Sequence, residues 1–419
     1  MKPKTKEFHM KSSQSGFLFA LVLSFFFLFG QPGSSLAKQS STEDPIPIGI
    51  LVPYSGEMAA FGQYVYKAAM LATEEINQAG GPLNREIKLF TEDSESSVEQ
   101  GIRGARKLIT VNGVLAINGP VSTVVTAILN FAKENNVVVT SPYSGSTKLD
   151  RIGGRYQFRT CPSDNFDGKA SAQMLWDEGF KKIAILHAND EGRTSIAEAM
   201  QSEFERIGGK VVAMIPFSGQ KSMYLAELKK AFKNQPEALF LAAGQESGPT
   251  IINDWDQRGY GKHLMVTADL AIPEFFDLVR PEVAEGILGE IPISQKDTEQ
   301  FIRFSNKWKE TYDSEAGGAY QANAYDAQII LALAIEAAGE ASGNGIAEHY
   351  RAIATPPGKK VNSFAQGIQE LRNGNEINYE GASGPCDFDE YGNVSGSYAC
   401  LKAVSGKWEE HRFYAAQDL

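Results

Sequence analysis

The chain of 419 residues carries a formal charge of −11 at neutral pH, and 42% of its residues are apolar. That is enough for about two folded domains, and the acidic balance argues against nucleic acid or an anionic membrane as partner. Five histidines and three cysteines, none at metal-ligand spacing, point to neither a metal nor a cofactor.

The N-terminus reads as a targeting segment. Lys2, Lys4, Lys6 and Lys11 precede the apolar run FLFALVLSFFFLFG, followed by Pro32, Gly33 and the small-x-small pattern Ser35-Leu36-Ala37. The run is short for a membrane span and its flanks fit processing, so residues 1–37 are predicted to be a cleaved signal peptide. Removing its four lysines and Glu7 takes the charge from −11 to −14. No later stretch is apolar enough to span a bilayer, and the mature chain is expected to be soluble and exported.

From Ile46 short apolar runs alternate with amphipathic ones. IPIGILV reads as a strand, and GQYVYKAAMLATEEINQ as a helix with Val65, Ala68, Ala69, Ala72 and Ile76 on one face, stopped by Gly80-Gly81-Pro82. EIKLF, GVLAIN and NVVVT follow as strands, with helices between them. These strands are continuously apolar rather than alternating, which marks a parallel sheet covered on both faces. After GGRYQFRT the rhythm restarts with KIAILH, KVVAMIP, EALFLAA and HLMVT, a second doubly wound unit. Two or three helices and a turn-rich β segment, GPCDFDEYGNVSGSYACLKAV, close the chain. Three cysteines in an exported protein suggest one disulfide. Cys386 and Cys400 flank DFDEYGN and could pair across a hairpin, leaving Cys161 free and buried.

In open α/β sheets, ligands bind beyond the carboxyl ends of the strands. The segments there are PYSGEMAAFG, GPVST and SPYSGS in the first unit, and ANDEGR, GQES and ADLAIP in the second. The first set is rich in hydroxyls, glycines and aromatics; the second brings Asp190, Glu191, Glu246 and Asp269. One side suits an anion held by neutral hydrogen bonds, the other a cation, and a zwitterion satisfies both. Ser122 and Thr123 open a helix, where two hydroxyls and free N–H groups match a carboxylate; the alternative is that Ser122 only caps that helix. Neither phosphate-loop nor dinucleotide glycine motif stands at a strand end, and no nucleophile elbow or metalloprotease motif occurs, so the chain is not expected to be an enzyme.

With LATEEINQAGGPLNREIKL, GPVST, SPYSGST, FRTCPSDNFDGKA and GASGPCDFDEYGNVSG in this order, the chain resembles the periplasmic solute-binding proteins of ABC transporters, in the leucine/isoleucine/valine-binding branch. The resemblance covers nearly the whole mature chain. It implies an α/β fold of two doubly wound parallel-sheet lobes joined by three crossings and closing on a ligand. Lobe 1 would hold residues 38–160 and 291–372, and lobe 2 residues 161–290 and 373–419. It further implies a monomeric periplasmic receptor that delivers an amino acid, polar or branched-chain, or a related small amide to an inner-membrane permease; the alternative is a sensing module that signals to a membrane receptor. By position, Ser122 matches the serine that holds the ligand carboxylate, the segment Tyr143, Ser144, Gly145 and Ser146 the loop beside it, Phe61 an aromatic over the ligand, and Asp269 the acid that meets its ammonium. Two departures stand out. Glu191 replaces a tyrosine common in the family, and Gln245 with Glu246 makes a polar turn, so the pocket is expected to be more polar than one for leucine.

Overall fold

A computed structural model of the protein describes residues 44–419; the signal peptide expected over residues 1–37 lies outside them. Strand β1 (Ile46–Val52) is buried along almost its whole length and lies parallel to β2 (Ile87–Asp93) on one side and β3 (Ala116–Asn118) on the other. With β4 (Val138–Ser141) and β5 (Gln157–Arg159) the order is β2-β1-β3-β4-β5, all parallel. Helices α1 (Ala59–Gln78), α2 (Val98–Thr110) and α3 (Ser122–Glu134) make the crossovers. The five residues predicted for one face of α1 are all buried, as the helical stripe requires.

The chain then leaves this sheet through Thr160–Ser163 and begins a second one. Helix α4 (Asp164–Asp177) leads into β6 (Lys182–Ala188), α5 (Glu191–Arg206), β7 (Lys210–Phe217), α6 (Leu225–Ala231), β8 (Ala238–Ala242), α7 (Gly248–Gln257) and β9 (Leu264–Val266). Two single-turn helices, α8 (Phe275–Leu278) and α9 (Pro281–Ala284), precede β10 (Leu288–Ile293). Strands β6 to β10 are parallel, and the order runs β10-β9-β8-β6-β7.

Helices α10 (Glu299–Tyr312), α11 (Gln321–Ala338) and α12 (Gly343–His349) return to the first lobe. Helix α11 is apolar nearly all round, and every residue from Ala324 to Ile335 is buried, the pattern of a helix enclosed on all sides. Strand β11 (Lys359–Val361), helix α13 (Phe364–Arg372) and strand β12 (Ile377–Tyr379) follow; β12 pairs only with β11. The first core keeps Ile377, Tyr379, Ala382, Cys386, Phe388 and Val394, so the return to the second lobe comes well after residue 373, where the sequence reading places it. The cause is Asp326 on α11. Its buried carboxylate accepts hydrogen bonds from the Tyr379 hydroxyl (2.8 Å), the Ala382 N–H (2.9 Å) and the Ser383 N–H (2.7 Å), which pins this segment to the first lobe. Only β13 (Ser397–Val404) and β14 (Lys407–Tyr414) join the second sheet, antiparallel at its β10 edge.

The expected disulfide is corrected by the same routing. Cys386 is packed in the first core, its thiol toward the Gly384 carbonyl, whereas Cys400 sits on β13 in a core of the second lobe. Strand β13 pairs with β10 and β14 and not with the Cys386 segment, so no hairpin brings the two sulfurs together; all three cysteines are free and buried. Burial pushes the thiols of Cys161 and Cys400 up to about 12 and that of Cys386 well above its usual value, so none is a reactive thiolate at neutral pH. The melting temperature should therefore be unchanged by a reductant, and all three thiols should react with a thiol reagent only on unfolding. A reductant-sensitive melting temperature would restore the disulfide.

Candidate functional site

Each sheet reverses its strand order once, between β1 and β3 in the first lobe and between β6 and β8 in the second. Both reversals open onto one cavity of about 180 Å³ between the lobes, the position at which open α/β sheets take ligands.

The first lobe supplies neutral donors. The chain leaves β3 through Gly119, whose φ of 102° and closeness to Val52 exclude a side chain. Val121 stands at the N-cap of α3 and no side chain caps the helix; the N–H groups of Val124 and Val125 both turn back to the Val121 carbonyl. Ser122 is thus not the cap. Its buried hydroxyl accepts from the Ser146 N–H at 3.3 Å, and Ser122 and Thr123 line the cavity with the first N–H groups of α3.

Tyr143 and Gly145 also line the cavity. The Tyr143 hydroxyl donates to the Gly119 carbonyl. Gly145 is pressed against Asp164: a β-carbon here would lie 1.9 Å from Asp164 Oδ1. Ser144 and Ser146 are placed differently. The Ser144 hydroxyl donates to the Pro120 carbonyl at 2.7 Å and Ser146 Oγ accepts from the Lys148 N–H at 3.3 Å, so both brace the loop from behind. Phe61 completes the wall with Tyr320, at the start of α11, the two rings edge to face at 5.4 Å.

The second lobe brings charge. Asp190 caps α5, accepting from the Arg193 N–H at 3.0 Å. The Arg193 guanidinium, 7% exposed, donates from Nη1 to Asp190 (2.9 Å) and from Nε to Asp269 (3.0 Å), while Nη2 has no partner. Asp269 thus lines the cavity already ion-paired. Glu191 and Gln245 do not line it. Glu191 reaches back to the first lobe, accepting from the Thr126 hydroxyl at 2.9 Å and facing Lys148 Nζ at 3.5 Å. The Gln245 side-chain oxygen accepts from the Ala60 N–H at 3.2 Å. Beside it, Glu57 of the first lobe accepts from the N–H groups of Glu246 (3.0 Å) and Ser247 (3.2 Å) at the start of α7, a carboxylate on a helix N-terminus. These contacts hold the two lobes together at the mouth.

Residues not singled out from the sequence are Arg193, Tyr320 and the acids Asp164 and Asp167 on α4, all lining the cavity, with Glu290 of β10 behind Asp167. The spacing of Asp164 and Asp167 in DNFDGKA, one helical turn apart at a helix start, was the available signal. Burial, and then Asp167, push the Asp164 carboxyl well above the usual range; burial raises Asp167 to about 7; burial, and then Asp167, raise Glu290 well above it. Burial also raises Asp269, against the opposing pull of Arg193.

Two doubly wound lobes enclosing a cavity at both strand-order reversals define a bilobal binding fold. The chain belongs to the periplasmic binding protein family, which it matches over residues 45–407. It is 23% identical over 329 residues to the leucine-, isoleucine-, valine-, threonine- and alanine-binding protein of Pseudomonas aeruginosa, covering 78% of this chain and 87% of that one. Among solved structures it is similar to a leucine-binding protein LivK from Thermotoga maritima (TM-score 0.77, 24% identity, 89% of this chain and 100% of that one). It is also similar to a solute-binding protein of an R. palustris ABC transporter in complex with benzoate (TM-score 0.74, 18% identity, 89% and 97%).

The buried acids set a pH dependence. Unfolded, such carboxyls titrate near pH 4 (~3.9 for Asp, ~4.3 for Glu); folded, they keep their protons to higher pH. The folded chain then binds more protons than the unfolded one between about pH 4 and pH 7, and stability falls as pH rises through that window. The melting temperature of the ligand-free chain should drop across it, and Asp167→Asn should flatten the drop. A variant that melts with the wild-type pH profile would remove Asp167 from the cause.

Proposed function

We propose that this chain is an extracytoplasmic receptor that encloses a small carboxylate-bearing solute, an amino acid or a related compound, between its lobes and presents it to an ABC transporter permease. The observation that carries the reading is the uncapped start of α3, whose Ser122 and Thr123 line an interlobe cavity beside Gly145. A carboxylate there would accept from the helix N–H groups and from the two hydroxyls, where exclusion of water strengthens each bond. The named relatives support it, since leucine and benzoate have in common a carboxylate on an apolar body; Phe61, Tyr143 and Tyr320 offer aromatic surface for such a body. Lobes that meet through Glu57, Gln245 and Glu191 give a shape that differs from a parted one, which a membrane partner can read.

The test is a melting-temperature screen of the chain, unfolded and refolded to strip carried-over solute, against the common amino acids, their amides and matched amine-free acids. A solute at a hundred times its dissociation constant adds about 2.7 kcal/mol, a shift of several degrees. Ser122→Ala should weaken binding of every responding carboxylate by roughly tenfold, the worth of one hydrogen bond to a charged group. Silence across the screen, or an unaffected Ser122→Ala, would refute the site.

A further inference from the structure

The acids that line the cavity divide into two sets. Glu57 is met by the N–H groups of α7, and Asp190 and Asp269 share the Arg193 guanidinium. Asp164 and Asp167, 6% and 3% exposed, and the fully buried Glu290 make no ion pair among the described residues; Arg159 attracts Asp164 from a distance, without pairing with it. Asp164 Oδ2 is buried without a hydrogen-bond partner, and the Glu290 carboxylate has Asp167 and the Ala268 backbone as its neighbours. Asp167 takes a hydroxyl contact from Ser171 at 3.5 Å and faces Glu290 closely enough to share a proton. Around the pair stand Asp269 beyond β9, Tyr320 at the start of α11 and Tyr398 on β13, and around Asp164 stand Arg159, Asp150 and Cys161. Arg193 is the only cation among the described residues lining the cavity, and its two bonded nitrogens point to the other set.

We propose that Asp164 and Asp167, with Glu290 behind them, are the seat for a positive charge on the bound solute, so that the receptor takes an organic ammonium or guanidinium group here rather than at Asp269. The inference rests on the receptor reading above. Buried acids without a partner cost free energy that an incoming cation recovers, whereas Asp269 is already compensated. A metal ion is a poorer fit, because among the described residues no three His, Cys, Asp or Glu side chains converge closely enough to hold one. The ring of Tyr320, close to Asp167 and Glu290, adds an aromatic surface for an alkylammonium. Because burial raises these carboxyls, Asp167 to about 7, an entering cation expels a proton to solvent, and affinity rises with pH.

The experiment compares L-leucine, L-lysine, L-arginine and putrescine with the amine-free 4-methylpentanoate and benzoate, reading the shift in melting temperature of the stripped chain at about pH 8 and about pH 5.5. Amine-bearing probes should stabilise more than amine-free ones, with their dissociation constants weakening by up to about tenfold per pH unit below the titration of the acids. Asp167→Asn should flatten that dependence, while Asp269→Asn should leave it in place. Amine-free acids that stabilise as well as the amines, or an amine response independent of pH, would overturn the inference and leave the receptor reading standing; silence from all six and from the wider screen would overturn both. If Asp167→Asn does not fold, the wild-type pH dependence still decides.

Discussion

The loop that lines the cavity with Tyr143 and Gly145 depends on one buried guanidinium. Arg159, at the end of β5 and wholly excluded from solvent, donates from Nη1 to the carbonyls of Ser144 (3.3 Å), Gly145 (2.8 Å) and Ser146 (3.1 Å). Its Nε reaches Asn393 at 2.8 Å and its Nη2 pairs with Asp150. Three successive carbonyls are thereby drawn to the back of the loop. That leaves Gly145 free to press on Asp164 and the Ser146 N–H free to meet Ser122. The Gly145 and Ser146 carbonyls also accept from the N–H groups of Asp164 (2.7 Å) and Leu149 (2.9 Å), so removing the guanidinium would leave the Ser144 carbonyl stranded in a dry interior, at about 1–3 kcal/mol. The same side chain ties the first crossing of the chain, at β5, to the segment before the third, at Asn393, so the shape of the site and the joint between lobes share a fastener.

Charge is distributed around this loop unevenly. The Arg159 guanidinium hydrogen-bonds to carbonyls and Asp150, and Arg193 to Asp190 and Asp269, so that a further acid, Asp164 for the first and Glu57 for the second, feels each only at a distance. Between them Asp164 and Asp167 line the cavity with hydroxyls and further acids as their nearest partners and no ion pair of their own among the described residues. Neutral donors gather on the first lobe, where Glu57 is the one acid in the cavity lining, and the other acids stand on the second. The contrast arises because α3 starts with Ser122 and Thr123, whereas α4 and α5 start at Asp164 and Asp190.

Much of this was legible in the chain. Continuous apolar runs gave the parallel strands, the stripe on α1 its buried face, the strand ends Ser122, Thr123 and Asp269, and the family resemblance Tyr143, Gly145 and Phe61, all of which line the cavity. The misses are non-local. Glu191 and Gln245 do follow strand ends, yet their direction is set by Thr126 and Ala60 on the other lobe, which no local pattern encodes. Glu191 and Arg193, two apart on a helix, point to different sides and do not pair; Asp190 at the cap and Asp269 across the sheet take the guanidinium instead. Glu290 enters only because β10 lies beside α4, and Cys386 and Cys400 are parted by the hold of Asp326 on a segment far along the chain.

Phe61 is carried by α1 on the first lobe, but its ring is buried among side chains of the second lobe's core. It works as a tenon seated in the opposite half. Parting the halves far enough to withdraw it puts an aromatic ring into water, at a cost of about 2 kcal/mol, or roughly a thirtyfold bias toward the shut form. That bias acts whether or not a solute is inside. Entry and escape must then wait for the same infrequent opening, so the ring slows capture and lengthens residence time together, tuning how long a cargo stays aboard without touching what the cargo is.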